Sequence, residues 1–227
     1  MRQTACFALA TVVACLLLRA APAQSTDDDL RIYAVNVVKT PPFEKQITGY
    51  GIYLGQGIVI TAAHVIGHWP ILTHPRVLIA GQDLPAAIIK EGSFETTDLA
   101  LLSVDQATLP MSLRLRRNPL CNGPLRIGSD VINVVPENTT RARVISPLSI
   151  PAQLRTRFDT LIDSEKSSGS GVFDADRKCL LGIMSGKVQK DHYQLENVRI
   201  RGYMDGFAGY FVSAAKIAKF IPSDLHL

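Results

Sequence analysis

The sequence predicts an all-β protein that ends in one short helix. β-branched residues are concentrated in short segments, and Gly, Pro, Asp or Asn separate many of these segments, as in LGQG, GQD, NPLCNGP and DADRK. Many short strands with close turn spacing are typical of β-sandwiches and β-barrels. The chain of 227 residues is long enough for one sizeable core or for two small barrels that share an interface.

Two helical segments and twelve strand segments follow from local patterns. AAHVIG predicts a turn or two of helix before Gly67, and SAAKIAKFI (213–221) predicts a helix capped by Ser213 and ended by Pro222. Residues 24–30, QSTDDDL, are expected to form a polar, mobile N-terminal segment. The predicted strands are Ile32–Val38, Ile47–Leu54, Ile58–Thr61, Arg76–Ala80, Ala86–Lys90, Leu99–Val104, Val131–Val135, Arg141–Ile145, Thr160–Ile162, Gly171–Phe173, Leu180–Ser185 and Tyr210–Val212.

Residues 1–23 have the features of a signal peptide. Arg2 supplies a positive charge, CFALATVVACLLL supplies the apolar segment, and Ala21-Pro22-Ala23 supplies small residues for cleavage. We therefore expect a secreted or periplasmic protein, cleaved near Ala23, with no stable membrane insertion afterwards. VVAC ending at Cys15 resembles a lipid-attachment motif, but the apolar residues that follow it argue against a lipid anchor.

The charge and the cysteines narrow the expected partners and compartment. The formal net charge is +4, and the densest basic cluster (Arg114, Arg116 and Arg117) is interpreted as a solvated loop, so no nucleic acid partner is expected. Cleavage would leave only Cys121 and Cys179. In an oxidising compartment these two predict one disulfide, with two buried free thiols as the alternative.

Three segments carry residue types that suit nucleophilic hydrolysis. His64 follows the apolar strand GIVI and the small residues TAA, and Asp98 stands at the entrance of the apolar segment LALLSV. SSGSGVF places serines and glycines in a tight turn before another strand. A hydroxyl nucleophile, a base and a carboxylate that orients the base are the three parts that this chemistry needs.

Together GIVITAAHVI, TDLALLSV and SSGSGVF…LLGIMSG resemble the trypsin/chymotrypsin-fold serine peptidases, especially bacterial secreted glutamyl-endopeptidase-like and HtrA-like members. The resemblance covers residues 47–221. It implies two six-stranded Greek-key β-barrels with a short C-terminal α-helix and the catalytic residues in the cleft between the barrels. Residues 24–117 would form the first barrel and residues 118–227 the second barrel and the helix, which together make one peptidase domain.

The resemblance also implies a role for each catalytic residue. His64 would be the base, Asp98 would orient it, and Ser168 would be the nucleophile, with Ser170 as the alternative. The backbone N–H groups of Lys166 and Ser168 would form the oxyanion hole. The family has glycine where this chain has Lys166, so the hole would either form with backbone strain or rest collapsed until a substrate or partner reorders it.

Specificity is also predicted from the resemblance. Ile162 falls at the floor of the substrate pocket, although it is equally interpreted as a core strand residue, and Met184, Ser185 and Gly186 fall on the pocket wall. These residues predict a small or medium apolar side chain at the cleavage site. His68 and His192 are interpreted as surface or local packing residues.

The resulting hypothesis is a secreted serine endopeptidase that cleaves protein or peptide substrates through an acyl-enzyme. The alternative, favoured by Lys166, is a catalytically weak or inactive protease-like domain that binds a protein partner. An esterase-like hydrolase with the same three residues is a third hypothesis. No cofactor is expected, and no metal, because no histidine–cysteine set has zinc spacing. The sequence assigns no oligomeric state.

Overall fold

The computed structural model describes residues 27–39, 46–67, 75–93, 95–164, 167–190 and 206–225. The predicted signal peptide with Cys15 lies outside the described residues, as do His68, Lys166 and His192.

The first half of the described chain forms a seven-stranded antiparallel sheet. Its order is β5-β4-β1-β2-β3-β7-β6. The two edge strands, β5 and β6, are separated in the chain only by Ala86, so the sheet curls back on itself and β5 with β6 acts as one bent strand. Counted in this way the sheet is a six-stranded barrel. The strands are β1 Ala34–Lys39, β2 Ile47–Gly55, β3 Ile58–Thr61, β4 Arg76–Ile79, β5 Gln82–Pro85, β6 Ala87–Glu91 and β7 Ala100–Ser103.

The second half forms a closed six-stranded barrel with the order β10-β13-β12-β11-β8-β9. All of its neighbouring strands pair antiparallel. These strands are β8 Asp130–Val134, β9 Thr139–Ile145, β10 Leu161–Ile162, β11 Gly171–Asp174, β12 Leu180–Gln189 and β13 Phe207–Ser213.

Short helical segments connect and close the two barrels. The α-helices among the described residues are α1 Ala63–Ile66, α2 Met111–Arg114 and α3 Ala214–Phe220. Ser213 precedes α3 as predicted, but its side chain makes no capping hydrogen bond. None of the described helices is long and apolar enough to span a membrane. The predicted all-β class with two barrels and a C-terminal helix is therefore confirmed.

Strand alternation divides the apolar residues among three cores. On β2, Tyr53 faces the interior of the first barrel, whereas Ile52 points toward the second barrel. On β11, Val172 faces the interior of the second barrel and Phe173 points toward the first. Because successive side chains of a strand point to opposite faces, each barrel has its own core and shares a third with its neighbour. This shared core positions the edges of the two barrels that carry the candidate site.

The N-terminal segment differs from its sequence prediction. Asp28–Tyr33 forms a 3₁₀ helix, Leu30 is buried in the shared core, and Asp27 is buried although it is charged. The Asp27 carboxylate accepts hydrogen bonds from Lys178 and Arg141. The expectation of a mobile segment is thus wrong for residues 27–30, because the buried side chain of Leu30 and the ion-paired carboxylate of Asp27 anchor them to the second barrel.

Cys121 and Cys179 form the predicted disulfide, with their Cα atoms 5.0 Å apart. Cys179 lies directly before β12, and the Cys121 N–H donates to the carbonyl of Leu180 at 2.9 Å. The disulfide therefore ties the connection between the barrels to the second barrel.

Candidate active site

The local fold around His64 depends on small residues. β3 is buried throughout, and Ala62 and Ala63 at its end are 0% and 3% exposed, so α1 turns directly against the sheet. Val65 of α1 packs on Gly49 of β2, where an added Cβ would lie 2.5 Å from a Val65 methyl carbon. A side chain at that position would push α1 away. The small residues thus hold His64 at the rim of the first barrel.

Asp98 binds both the backbone and the ring of His64. The His64 N–H donates to Asp98 Oδ1 at 3.0 Å, and His64 Nδ1 lies 2.7 Å from Asp98 Oδ2. An ionised carboxylate only accepts hydrogen bonds, so Nδ1 carries the proton of the neutral ring and Nε2 is the acceptor. The His64 side chain is 33% exposed, whereas that of Asp98 is 3% exposed. Asp98 therefore orients the ring and keeps the proton on Nδ1, which makes Nε2 the basic nitrogen.

The charge on Asp98 is kept by its hydrogen bonds. Burial alone raises the pKa of Asp98, but hydrogen bonds from the His64 side chain, from Ser185 and from the His64 backbone together lower it below its usual value. Ser185 Oγ donates to Asp98 Oδ2 at 2.5 Å. This bond joins β12 of the second barrel to the first barrel at the candidate site. From the sequence, Ser185 was predicted only as a wall residue, because a bond between segments 87 residues apart leaves no local signal.

Ser168 lies on a turn that contacts both barrels. Its carbonyl accepts the N–H of Tyr50 in β2 at 3.1 Å, and the next residue, Gly169, donates its N–H to Met184 in β12 at 2.8 Å. Gly169 has a φ of 85°, in the left-handed region. A Cβ there would lie 1.8 Å from the Tyr50 carbonyl oxygen, so only glycine fits.

Burial distinguishes the two candidate nucleophiles. Ser168 is partly exposed, whereas Ser170 is 0% exposed. The Ser170 hydroxyl oxygen accepts a hydrogen bond from Asn133 Nδ2 at 3.1 Å inside the second barrel. Ser170 is thus a structural residue of the turn, and Ser168 is the serine with access to solvent.

The predicted pocket residues have different environments. Ile162 and Met184 are both 0% exposed and belong to the core of the second barrel. A Cβ added to Gly209 of β13 would lie 2.6 Å from the Met184 methyl carbon and 3.2 Å from Ile162 Cγ1. A Cβ at Gly186 would meet no atom of the described residues within 4 Å. Ile162 and Met184 are therefore core residues here rather than residues that face solvent, in contrast to Gly186.

A cavity of about 420 Å³ opens beside Asp98 and Ser185. Tyr210 of β13 and Lys216 of α3 also line this cavity. Lys216 Nζ donates to Asp159 at 2.9 Å, and this hydrogen bond and Tyr210 raise the pKa of Lys216 even though burial acts to lower it. Among the described residues, no group of three or more His, Cys, Asp or Glu side chains is arranged to hold a metal ion.

Comparison with solved structures identifies the architecture. The Rv3671c protease from M. tuberculosis, in its active form, has a TM-score of 0.58 at 17% identity, over 88% of this chain and 85% of that chain. The fold is that of the trypsin-like serine proteases. The serine endoprotease from Yersinia pestis has a TM-score of 0.57 at 21% identity, over 88% of this chain and 65% of that chain. An HtrA-type protease, AlgW, solved with a tripeptide, has a TM-score of 0.57 at 17% identity, over 84% of this chain and 60% of that chain.

Sequence comparisons give no match. No protein-family model matches the chain, and no curated protein matches it. At identities this low the solved structures show the trypsin-like fold alone, and any catalytic chemistry depends on the residues of this chain.

Proposed function

We propose that the protein is a secreted serine endopeptidase. His64 Nε2 takes the proton from Ser168 Oγ as that oxygen attacks the carbonyl carbon of a peptide bond. The tetrahedral intermediate expels the amine, which receives the proton from His64, and leaves an acyl-enzyme on Ser168. Water, deprotonated by His64, then releases the acid and regenerates the serine.

The observation that carries this proposal is the arrangement at Asp98. A buried carboxylate accepts three hydrogen bonds, two of which come from His64, so the ring is held in the tautomer that a base needs. A buried charge costs stability unless it is paired in this way. Solvent access at Ser168, on a turn that bonds to both barrels, supports its role as the nucleophile.

We further propose that the substrate side chain at the cleavage site is small and apolar. The space between β10, β12 and β13 is filled by Ile162 and Met184, which pack on the backbone of Gly209. A long or charged side chain would have to displace these core residues. A small side chain requires no such displacement, and within the described part of the chain no atom lies within 4 Å of a Cβ built on Gly186.

Export is part of the proposal. Disulfides persist in oxidising compartments and are rare in the cytosol, so the Cys121–Cys179 bond supports secretion to the periplasm or the exterior. The signal-peptide pattern of residues 1–23 supports the same destination.

Labelling with a fluorophosphonate probe tests the proposal. The wild-type protein should form a covalent adduct, and Ser168→Ala should abolish it, because the probe reacts with an activated serine. Ser170→Ala is the matched control: it removes a buried hydroxyl two residues away and should lower stability while labelling persists. A folded wild-type protein that never labels would contradict the peptidase and favour the protease-like domain that binds a partner.

A further inference from the structure

Lys39 is a buried cation outside the group of residues that perform the proposed chemistry. It is the last residue of β1 and is 2% exposed. Lysine is almost never fully buried unless its ammonium is paired or hydrogen-bonded, because desolvation of the charge is costly. The position therefore requires a specific partner for the charge.

The partners of Lys39 are backbone carbonyls at the end of α1. Lys39 Nζ donates to the carbonyl of Ile66 and, at 2.8 Å, to the carbonyl of Gly67. The last carbonyls of a helix have no partner within the helix, and a cation beside them is electrostatically favoured. Lys39 thus binds two carbonyl oxygens that the four-residue helix itself leaves without a hydrogen-bond donor.

The same helix carries His64, and its two ends are held by different residues. Asp98 accepts the N–H of His64 at the first turn, while Lys39 binds the final carbonyl of the helix and the next one. Between these two anchors Val65 and Ile66 are buried in the core of the first barrel, and their contacts are apolar and carry no directional bond. Loss of the Lys39 ammonium would remove the polar contact that holds the end of α1.

The negative charge of Glu91 offsets part of the cost of burying the Lys39 ammonium. Burial lowers the pKa of Lys39, while the charge of Glu91 on β6 opposes that effect, and the net change is downward. Glu91 lies at the end of the strand that pairs with β7, the strand entered from Asp98. Lys39 therefore interacts both with the end of α1, which carries His64, and with the charge at the end of β6, which pairs with the strand that follows Asp98.

We propose that Lys39 is a positioning residue for the catalytic base, whose ammonium fixes the end of α1 and so holds the His64 ring against Asp98 and toward Ser168. This inference rests on the proposed function. A misplacement of a reacting group by about 1 Å can cost on the order of 100-fold in rate, so the effect should appear in kcat rather than in KM.

The main test is Lys39→Met, which keeps an unbranched apolar side chain one bond shorter than lysine and removes the donors. Well below the melting temperature, kcat on a peptide ester should fall about 10- to 100-fold while KM stays within about twofold. Lys178→Met is the matched control, since Lys178 is a partly buried, ion-paired lysine of the second barrel. It should lower stability with little change in kcat.

Lys39→Gln serves if the methionine variant does not fold. Its amide is one bond shorter and neutral, so it reaches at most one of the two carbonyls, and kcat should fall by about fivefold or more. Wild-type kcat in the folded Lys39→Met or Lys39→Gln variant overturns the proposal, as does an equal loss in Lys178→Met.

A second readout does not depend on turnover. The Nδ1 proton of His64, shared with a carboxylate at 2.7 Å, should give a low-field proton resonance in histidine-labelled protein. This resonance should be lost or shifted in the Lys39 variants and retained in Lys178→Met. If the wild-type protein neither labels nor turns over substrate, the proposed function fails, and the resonance alone decides the role of Lys39: retention in its variants overturns that role.

Discussion

Gly169 is the backbone position on which the presentation of Ser168, the proposed nucleophile, depends. Replacement by alanine would combine left-handed strain of about 1–2 kcal/mol with a collision against the Tyr50 carbonyl. We expect Gly169→Ala to lower the rate of fluorophosphonate labelling by about 100-fold or more, because the turn that holds Ser168 has to move. Urea unfolding should also show a larger loss of stability than backbone strain alone explains.

Gly128 is the matched control for this prediction. Its φ of 86° is almost the same as that of Gly169, but an added Cβ would meet no atom of the residues that the structure describes within 4 Å. Gly128→Ala should therefore lose only about 1–2 kcal/mol of unfolding free energy and keep its labelling rate. Equal effects in the two variants would show that the contact with Tyr50 does not matter.

The residues that could be predicted from sequence are those with a local context. His64 ends a buried strand, Asp98 begins one, and Ser168 lies between glycines and serines in a turn, so short windows were enough to select them. Lys39 had no such signal: its partners are 27 and 28 residues away, and only the packing of α1 on the sheet brings them together. The bond from Ser185 to Asp98 was hidden for the same reason.

At the scale of elements, the N-terminal 3₁₀ segment joins the start of the described chain to the second barrel. Burial raises the pKa of Asp27, but its hydrogen bonds and charge interactions with Lys178 and Arg141 lower it below its usual value overall. The stabilisation from Asp27 is therefore complete above its unfolded pKa of about 3.9 and is lost as the pH falls through its lower folded pKa.

Asp27→Asn should consequently lower the free energy of unfolding by about 2 kcal/mol near pH 7, and this difference from the wild-type protein should begin to shrink near pH 4 and be clearly smaller at pH 3. Urea unfolding measured from pH 7 to pH 3 tests the prediction. Asp29→Asn, on an exposed residue of the same segment, should change stability little at any pH. A difference for Asp27→Asn that is independent of pH would mean that the ion pairs contribute nothing.

Strands with an apolar pattern were predictable, and strands that depend on their neighbours were not. Ile58–Thr61 agrees residue for residue with β3, which is buried throughout. β5 was missed because Gln82–Pro85 is polar, largely exposed and ends in proline, and it becomes a strand by pairing with β4. β12 continues to Gln189, four residues beyond its predicted end, because β13 pairs with this extension.

At the scale of the whole molecule, the candidate site depends on both barrels. His64 and Asp98 belong to the first barrel, Ser168 and Ser185 to the second, and the apolar core shared by the barrels fixes their relation. The first barrel closes through the bend at Ala86, which no strand pattern in the sequence indicated. Two barrels were nevertheless predictable, because the order and spacing of the three motifs with His64, Asp98 and Ser168 resemble those of a two-barrel family.

The disulfide provides a prediction that concerns the whole chain. The Cys121–Cys179 bond closes a loop of 58 residues, which in a chain-entropy account stabilises the folded state by about 4 kcal/mol. The double variant Cys121→Ser/Cys179→Ser should lose unfolding free energy of about that size, while its labelling rate at low temperature should stay close to the wild-type rate. Urea unfolding of both proteins measures the loss. The mass of the unreduced wild-type protein checks the bond, because it should be two hydrogens below the mass calculated for two free thiols.

Unchanged stability in the double variant would contradict this account. The backbone bond from Cys121 to Leu180, together with the bridge between Leu120 and Leu180, would then already hold the connection against β12 without the disulfide. A loss of labelling in the double variant would have a different explanation, because β12 also carries Ser185. It would show that the disulfide sets the position in which the second barrel presents this serine to Asp98.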